Sequence, residues 1–277
     1  MTYARDRLPE QLVAAIDSDN VEGVEAIYAS AEDESQQAGL LEGIAERAIQ
    51  KSQLDIIDWV FGTKAFRVAP DSLNNEIYHQ ACFAHSLDVW KALVRNGFDL
   101  DAHHSEFVGD ALSLEAYHGN VDIVRFVLEN GQDPNKAWGY DDQEPALLAM
   151  TGEKPSLEII RLMLRHGWKQ RDSTALIAAA ELGNLEAVQL LVENGADLEH
   201  VEQWWFTHTN VDEDEWGTAL YRAAFKGQAE PVSYLLEKGA STAFRDKKGR
   251  SALWAAKQGG NEKVVELLKG AGLEACG

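Results

Sequence analysis

In GNLEAVQLLVENGAD (183–197), Leu185, Val188, Leu190 and Leu191 mark one face of a helix, and polar residues fill the other. The segment closes at Gly195, a residue free to take the left-handed conformation that ends helices. The same alternation returns in GNVDIVRFVLENGQD (119–133), GQAEPVSYLLEKGAS (227–241) and GNEKVVELLKGAG (260–272). Weaker copies are DNVEGVEAIYAS (19–30), SQLDIIDWVFGTKAF (52–66), HSLDVWKALVRNGFD (85–99) and PSLEIIRLMLRHGWK (155–169). Eight copies result. The residue before each of these helices falls at Asn20, Gln53, Ser86, Asn120, Ser156, Asn184, Gln228 and Asn261. Successive spacings are 33, 33, 34, 36, 28, 44 and 33.

A shorter alanine-rich helix precedes each of these, as in TALIAAAELG (174–183), where small side chains let neighbouring helices approach closely. A period near 33 is one supersecondary unit. One such helix pair has too little apolar surface to stand alone, so the pairs are expected to stack.

GTALYRAAFKGQAEPVSYLLEKGA (217–240) and GRSALWAAKQGGNEKVVELLKGAG (249–272) resemble the ankyrin repeat along the whole motif, and the resemblance covers residues 8–273. It implies an all-α ankyrin-repeat solenoid of about eight helix-turn-helix repeats with short hairpin-like fingers. The expected organisation is a single domain over 1–277, with divergent capping repeats at about 8–66 and regular repeats at about 76–273. The motif's proline is replaced by Ala111, Ala146, Ala175, Ala219 and Ala252. Its histidine is replaced by Ser113, Leu148, Ile177, Tyr221 and Trp254. Only His79 keeps that histidine, and it is expected to start a helix rather than to bind anything.

The family resemblance implies recognition by the fingers and the adjoining concave helix face. Finger length, taken from the turn glycine to the opening of the next helix, is 12 from Gly239 to Ser251, 13 from Gly97 to Asp110 and 14 from Gly131 to Pro145. It falls to 7 from Gly167 to Thr174 and rises to 23 from Gly195 to Thr218. A finger is nearly deleted at 167–174, and its neighbour, EHVEQWWFTHTNVDEDEW (199–216), is enlarged. A missing finger leaves a notch that a long aromatic loop is able to fill, or to wall into a pocket. Trp138 and Tyr140, Trp168, and Trp204, Trp205, Phe206 and Trp216 lie in three consecutive connections that hold five of the eight tryptophans. Aromatics on loops are usual binding anchors, so these residues and Tyr221 are the partner-binding candidates. The alternative is that the WWF run plugs the notch.

Composition narrows the classes of partner. Lys and Arg total 25 against 46 Asp and Glu, a formal balance of −21. Such a chain repels phosphate backbones and anionic lipid, which argues against nucleic acid and membrane surfaces and favours a protein partner with a basic patch. The start, MTYARDRLPE, has no apolar stretch suited to a signal peptide, and nothing later approaches a membrane span. The two cysteines, Cys82 and Cys276, lie outside any CxxC pattern and are read as reduced thiols, cytoplasmic or nuclear.

No phosphate-binding loop, dinucleotide fingerprint, nucleophile elbow or zinc spacing is present, and no cofactor or catalytic residue is assigned. His208 with Asp212 or Asp214 is a conceivable metal set, but its spacing fits no known ligand pattern, and no metal site is assigned. Glu115 stands where other copies carry Ala179, Ala223 and Ala256, so its carboxylate must be paired, neutralised or turned outward. Arg125, Arg161, Arg165, Arg171 and Arg222 are cations able to meet Glu115 or an anionic ligand, and most are expected to pair with nearby acids on helix surfaces. The rival to a protein-interaction module is a small-molecule pocket or atypical enzyme at the notch, with Glu115, His208 and Arg222 as its polar groups.

Overall fold

The computed structural model describes residues 8–63, 66, 71–102, 109–136, 144–170, 174–201 and 216–273. Among these residues every regular element is helical, sixteen helices in eight pairs. They are α1 (Glu10–Asp17), α2 (Val21–Ala29), α3 (Glu34–Lys51), α4 (Leu54–Gly62), α5 (Asp71–Ala84), α6 (Leu87–Arg95), α7 (Ala111–His118) and α8 (Val121–Glu129). Then follow α9 (Pro145–Thr151), α10 (Leu157–Arg165), α11 (Ala175–Glu181), α12 (Leu185–Glu193), α13 (Ala219–Lys226), α14 (Ala229–Glu237), α15 (Ala252–Gln258) and α16 (Glu262–Gly270). Contacts group the chain into two compact units, Met1–Ala116 with Asn120–Asp142, and Tyr117–Gly119 with Gln143–Gly277.

The eight residues singled out by the repeat period are the N-caps of the eight second helices. Asn20, Ser86 and Asn184 accept a backbone N–H three residues on, satisfying a donor that the helix itself leaves orphaned. The turn ahead of the cap has a fixed chemistry. The residue before it is left-handed at Asp19, Ser52, His85, Gly119, Gly183, Gly227 and Gly260. The cap's own N–H returns to a carbonyl five residues back, as in Asn184 to Ala179 (2.9 Å) and Gln228 to Ala223 (2.9 Å). The fifth pair differs: Ser156 N–H reaches back seven residues to Ala149 (2.9 Å), across an inserted Gly-Glu-Lys-Pro stretch.

Second helices end in the same way. Gly97, Gly131, Gly167, Gly195, Gly239 and Gly272 all have φ between 85° and 97°. The next residue's N–H bonds five residues back, as in Phe98 to Leu93 and Trp168 to Met163. This is the Schellman geometry, whose trailing residue packs against its own helix.

In the first unit, α3 packs on α5 and the second helices α2, α4, α6 and α8 follow one another, so the pairs form two layers. Leu12, Ile16, Ile44, Ile49, Ile56, Tyr78, Trp90 and Leu93 are buried between them. The second unit repeats the plan, with α11, α13 and α15 in one row and α12, α14 and α16 in the other. Ala175–Ala180 are fully buried, which is the close approach that the small side chains were expected to permit. The first two pairs are irregular in one respect, since α3 runs for 18 residues. His79 corrects an expectation. Helix α5 starts at Asp71, so His79 lies well inside it and rests edge-on against Phe83 (4.9 Å).

Candidate functional site

The fingers are built from a recurring turn. Two residues after the turn glycine, Asp99, Asp133 and Asp197 each accept the N–H two residues further on (2.9 Å in each case), and Ser241 does the same for Ala243 (3.1 Å). These side chains bend the backbone outward. At the shortened finger that position is Lys169, which has no acceptor to start the turn. Fingers also bond to one another. Asp101 accepts the Asp133 N–H (3.4 Å) and pairs with Lys136, and Glu199 accepts the Ser241 N–H (2.7 Å).

Trp168 is the trailing residue of the Schellman turn that closes α10, the position held elsewhere by Phe98, Gln132, Ala240 and Leu273. That register explains why it is only 6% exposed. Two residues on, Gln170 is 5% exposed, and neither its Oε1 nor its Nε2 has a hydrogen-bond partner among the described residues. Thr174, at the far side of the shortened finger, donates its N–H to Glu144 Oε1 (2.8 Å).

The enlarged finger is described only at its ends. Glu199 bonds to Ser241, and Trp216 is buried beneath the Lys247 ammonium, 4.3 Å above its ring. Both anchors therefore lie in the following finger, between Gly239 and Ser251. That finger is organised by Asp246. Its carboxylate accepts from the N–H groups of Lys248 (2.9 Å) and Arg250 (2.8 Å), from Arg250 Nε (2.6 Å) and from the Tyr221 hydroxyl (2.8 Å). Burial works against the charge on Asp246, but these donors outweigh it and hold its carboxyl below the usual range. Burial and the Asp246 charge push the Tyr221 phenol up. Tyr221 is itself fully buried, edge-on to Phe244 (5.5 Å). Its place in this structure is to tie α13 to the last finger.

Glu115 and Arg222 fall in different units, and each is engaged within its own. Glu115 is fully buried, with Oε1 3.2 Å from His85 Nδ1 and Oε2 accepting from the Asn120 amide. Arg222, also fully buried, makes a two-pronged contact with Glu181 (3.0 Å on each side). Arg161 and Arg165 behave as surface partners: Arg161 meets Glu186 (2.8 Å) and Arg165 meets Glu158 (2.8 Å). Arg171, Trp138, Tyr140, Trp204, Trp205, Phe206 and His208 lie outside the described residues.

One set of residues went unnoticed in the sequence. The large hydrophobic side chains left exposed among the described residues are Phe83 (54%), Tyr117 (38%) and Leu182 (57%). Each sits in the last turn or at the cap of a first helix, one or two residues before the left-handed residue. The signal was available: an apolar residue on the alanine-rich helix, out of phase with its buried face.

Comparison with known proteins agrees with this architecture. A family model for ankyrin repeats (3 copies) matches residues 112–202 and 198–275. The ankyrin repeat and KH domain-containing protein mask-1 of Caenorhabditis elegans is 30% identical over 184 residues, 65% of this chain and 6% of that protein. The putative ankyrin repeat protein FPV022 of fowlpox virus is 27% identical over 272 residues, 81% of this chain and 46% of that one. The crystal structure of an ankyrin repeat domain from Acinetobacter baumannii AYE superposes with a TM-score of 0.59 at 28% identity, covering 71% of this chain and 98% of that one. The chain thus spans only a small part of the first of these relatives. No helix among the described residues is long and apolar enough to cross a membrane.

Proposed function

We propose that this chain, which belongs to the ankyrin-repeat family, is a protein-interaction module that receives its partner on the exposed ends of its first helices and on the neighbouring fingers. The observation that carries the reading is the exposure of Phe83, Tyr117 and Leu182 at the C-terminal ends of first helices, Phe83 and Tyr117 three residues before their caps Ser86 and Asn120 and Leu182 two before Asn184. Water-exposed large apolar side chains that recur at the ends of first helices are better explained by recognition than by packing. The aromatic fingers, including Trp138, Tyr140, Trp204, Trp205 and Phe206, supply further anchors. With a formal charge of −21, the favoured partner presents a basic patch, and charge accelerates encounter more than it deepens affinity.

A photo-crosslinking amino acid placed at 83, 117 or 182, with a control at exposed Glu266 on α16, tests this in native extract. A single partner captured from the three positions but not from the control, then bound by the purified chain with an association rate that falls as salt rises, is the expected result. Equal capture from all four positions would overturn it.

A second reading, a small polar molecule held beside Trp168, is favoured by the orphaned Gln170 amide. A thermal-shift screen of small amides and polyols tests it, because a genuine hit must vanish in Gln170→Leu.

A further inference from the structure

A cavity of about 550 Å³ opens in the first unit, lined by Glu25, Tyr28, Ala29, Gln37, Trp59, Gly62 and Thr63. Tyr28 and Trp59 stand edge to face, with ring centroids 5.3 Å apart and planes at 84°. The Tyr28 hydroxyl is buried without a hydrogen-bond partner among the described residues. Exposed Glu25 makes no ion pair among the described residues.

The repeat register says what is missing from this cavity. Glu25 lies five residues after its cap Asn20, and Asp58 lies five residues after its cap Gln53. Asp58 is paired with an arginine of the following repeat: Arg95 Nε donates to Oδ1 (3.0 Å), and its Nη2 contacts Oδ2. Asn96 donates to the same carboxylate (2.5 Å). Arg95 and Asn96 lie nine and ten residues after Ser86. The corresponding positions after Gln53 are Gly62 and Thr63, both in the wall of the cavity. Glu25 is therefore an acid whose in-register arginine has been replaced by a glycine, and a Cβ built on Gly62 would meet nothing within 4 Å.

The electrostatics favour the same ligand. The cavity sits at the C-terminal ends of α2 and α4, where aligned carbonyls concentrate negative potential. Neither helix has a basic residue in its last turn, whereas α6 has Arg95 there. Aromatic faces and a carboxylate together suit a planar guanidinium, which stacks and accepts a two-pronged contact at once.

We propose that this cavity receives an arginine side chain of a protein partner, with the guanidinium on the Tyr28–Trp59 pair and against the Glu25 carboxylate. The proposal rests on the reading of the chain as an interaction module for a basic partner, and it assigns one contact of that interface to the second helices.

The test titrates full-length protein with the blocked peptide Gly-Gly-Arg-Gly-Gly and with its Gln counterpart, following the indole N–H of Trp59 by NMR. Saturable shifts are expected with the Arg peptide only. Glu25→Gln should weaken binding about tenfold. Glu22→Gln, which removes the same charge from the same helix outside the cavity, should leave affinity unchanged. Gly62→Arg should restore the internal pair, abolishing the shifts and raising the melting temperature. Equal response to both peptides, equal loss in the two Glu variants, or undiminished binding by Gly62→Arg would each overturn the assignment. Because Phe83, Tyr117 and Leu182 lie on first helices, failure here leaves crosslinking from those positions intact, and failure there leaves these shifts intact.

Discussion

The carboxylate of Glu115 lies 3.2 Å from the Nδ1 of His85, thirty residues earlier and in the preceding repeat. Its other oxygen holds the Asn120 amide of its own repeat. An acid thus stands at a position that is alanine in Ala179, Ala223 and Ala256, and it joins two repeats from within. Glu115→Ala should cost about 1–3 kcal/mol in urea unfolding, because partly buried donors lose their acceptor. Glu115→Gln, which keeps an acceptor oxygen, should cost less than half as much. Restoration of wild-type stability by the alanine would mean that the pair contributes nothing.

Asp110 caps α7, accepting the Ser113 N–H (2.6 Å) in a buried setting beside Tyr78 and Gln132. Burial pushes its carboxyl from 3.8 to about 6, and the Asp101 charge adds to this. Between those values the folded chain keeps a proton that the unfolded chain has lost, so stability falls as pH rises through the window and is flat above it. The loss amounts to about 3 kcal/mol. Asparagine caps equally well and does not titrate. Asp110→Asn should therefore gain stability at pH 7.5 but not at pH 3.5, and its pH profile should lose this slope. Parallel profiles for the variant and the wild type would exclude the mechanism.

Ser52 is left-handed (φ 54°) where four later repeats place Gly119, Gly183, Gly227 and Gly260. The conformation costs a non-glycine residue about 1–2 kcal/mol, partly offset by the extra freedom glycine has when unfolded. Ser52→Gly should raise stability by about 0.5–1 kcal/mol, read from the shift of the denaturation midpoint at constant slope. A destabilised variant would contradict the strain argument.

Gln170 buries an amide with no partner for either polar atom among the described residues. Such groups cost about 1–3 kcal/mol, and an apolar replacement of similar size removes that penalty. Gln170→Leu should raise the melting temperature by about 2–4 °C. No change, or a decrease, would show that the amide is satisfied in solution.

The periodic part of this molecule was legible in the sequence because it depends on neighbours in the chain. Asn20 through Asn261 could be placed to the residue, since a cap and a left-handed turn are decided within about six positions. The candidate site was less legible, because exposure depends on what stacks above and below. Trp168 looked like a loop anchor, yet the Schellman register that turns Phe98 and Leu273 inward also buries it. Tyr221 looked like a binding aromatic on α13, and only the position of Asp246 in the next finger reveals its internal partner. Nothing but phase in the sequence marks Phe83 or Leu182 as exposed, and the Glu25 cavity emerges only when the repeats are compared column by column.

Glu199 and Trp216 both fasten to the same stretch, through Ser241 and Lys247. The described residues on either side of 202–215 are thus fastened to one and the same finger. Lengthening the stretch between them costs only about 0.6 kcal/mol per doubling. Mutation and indels can accumulate there without shifting the register of any helix pair.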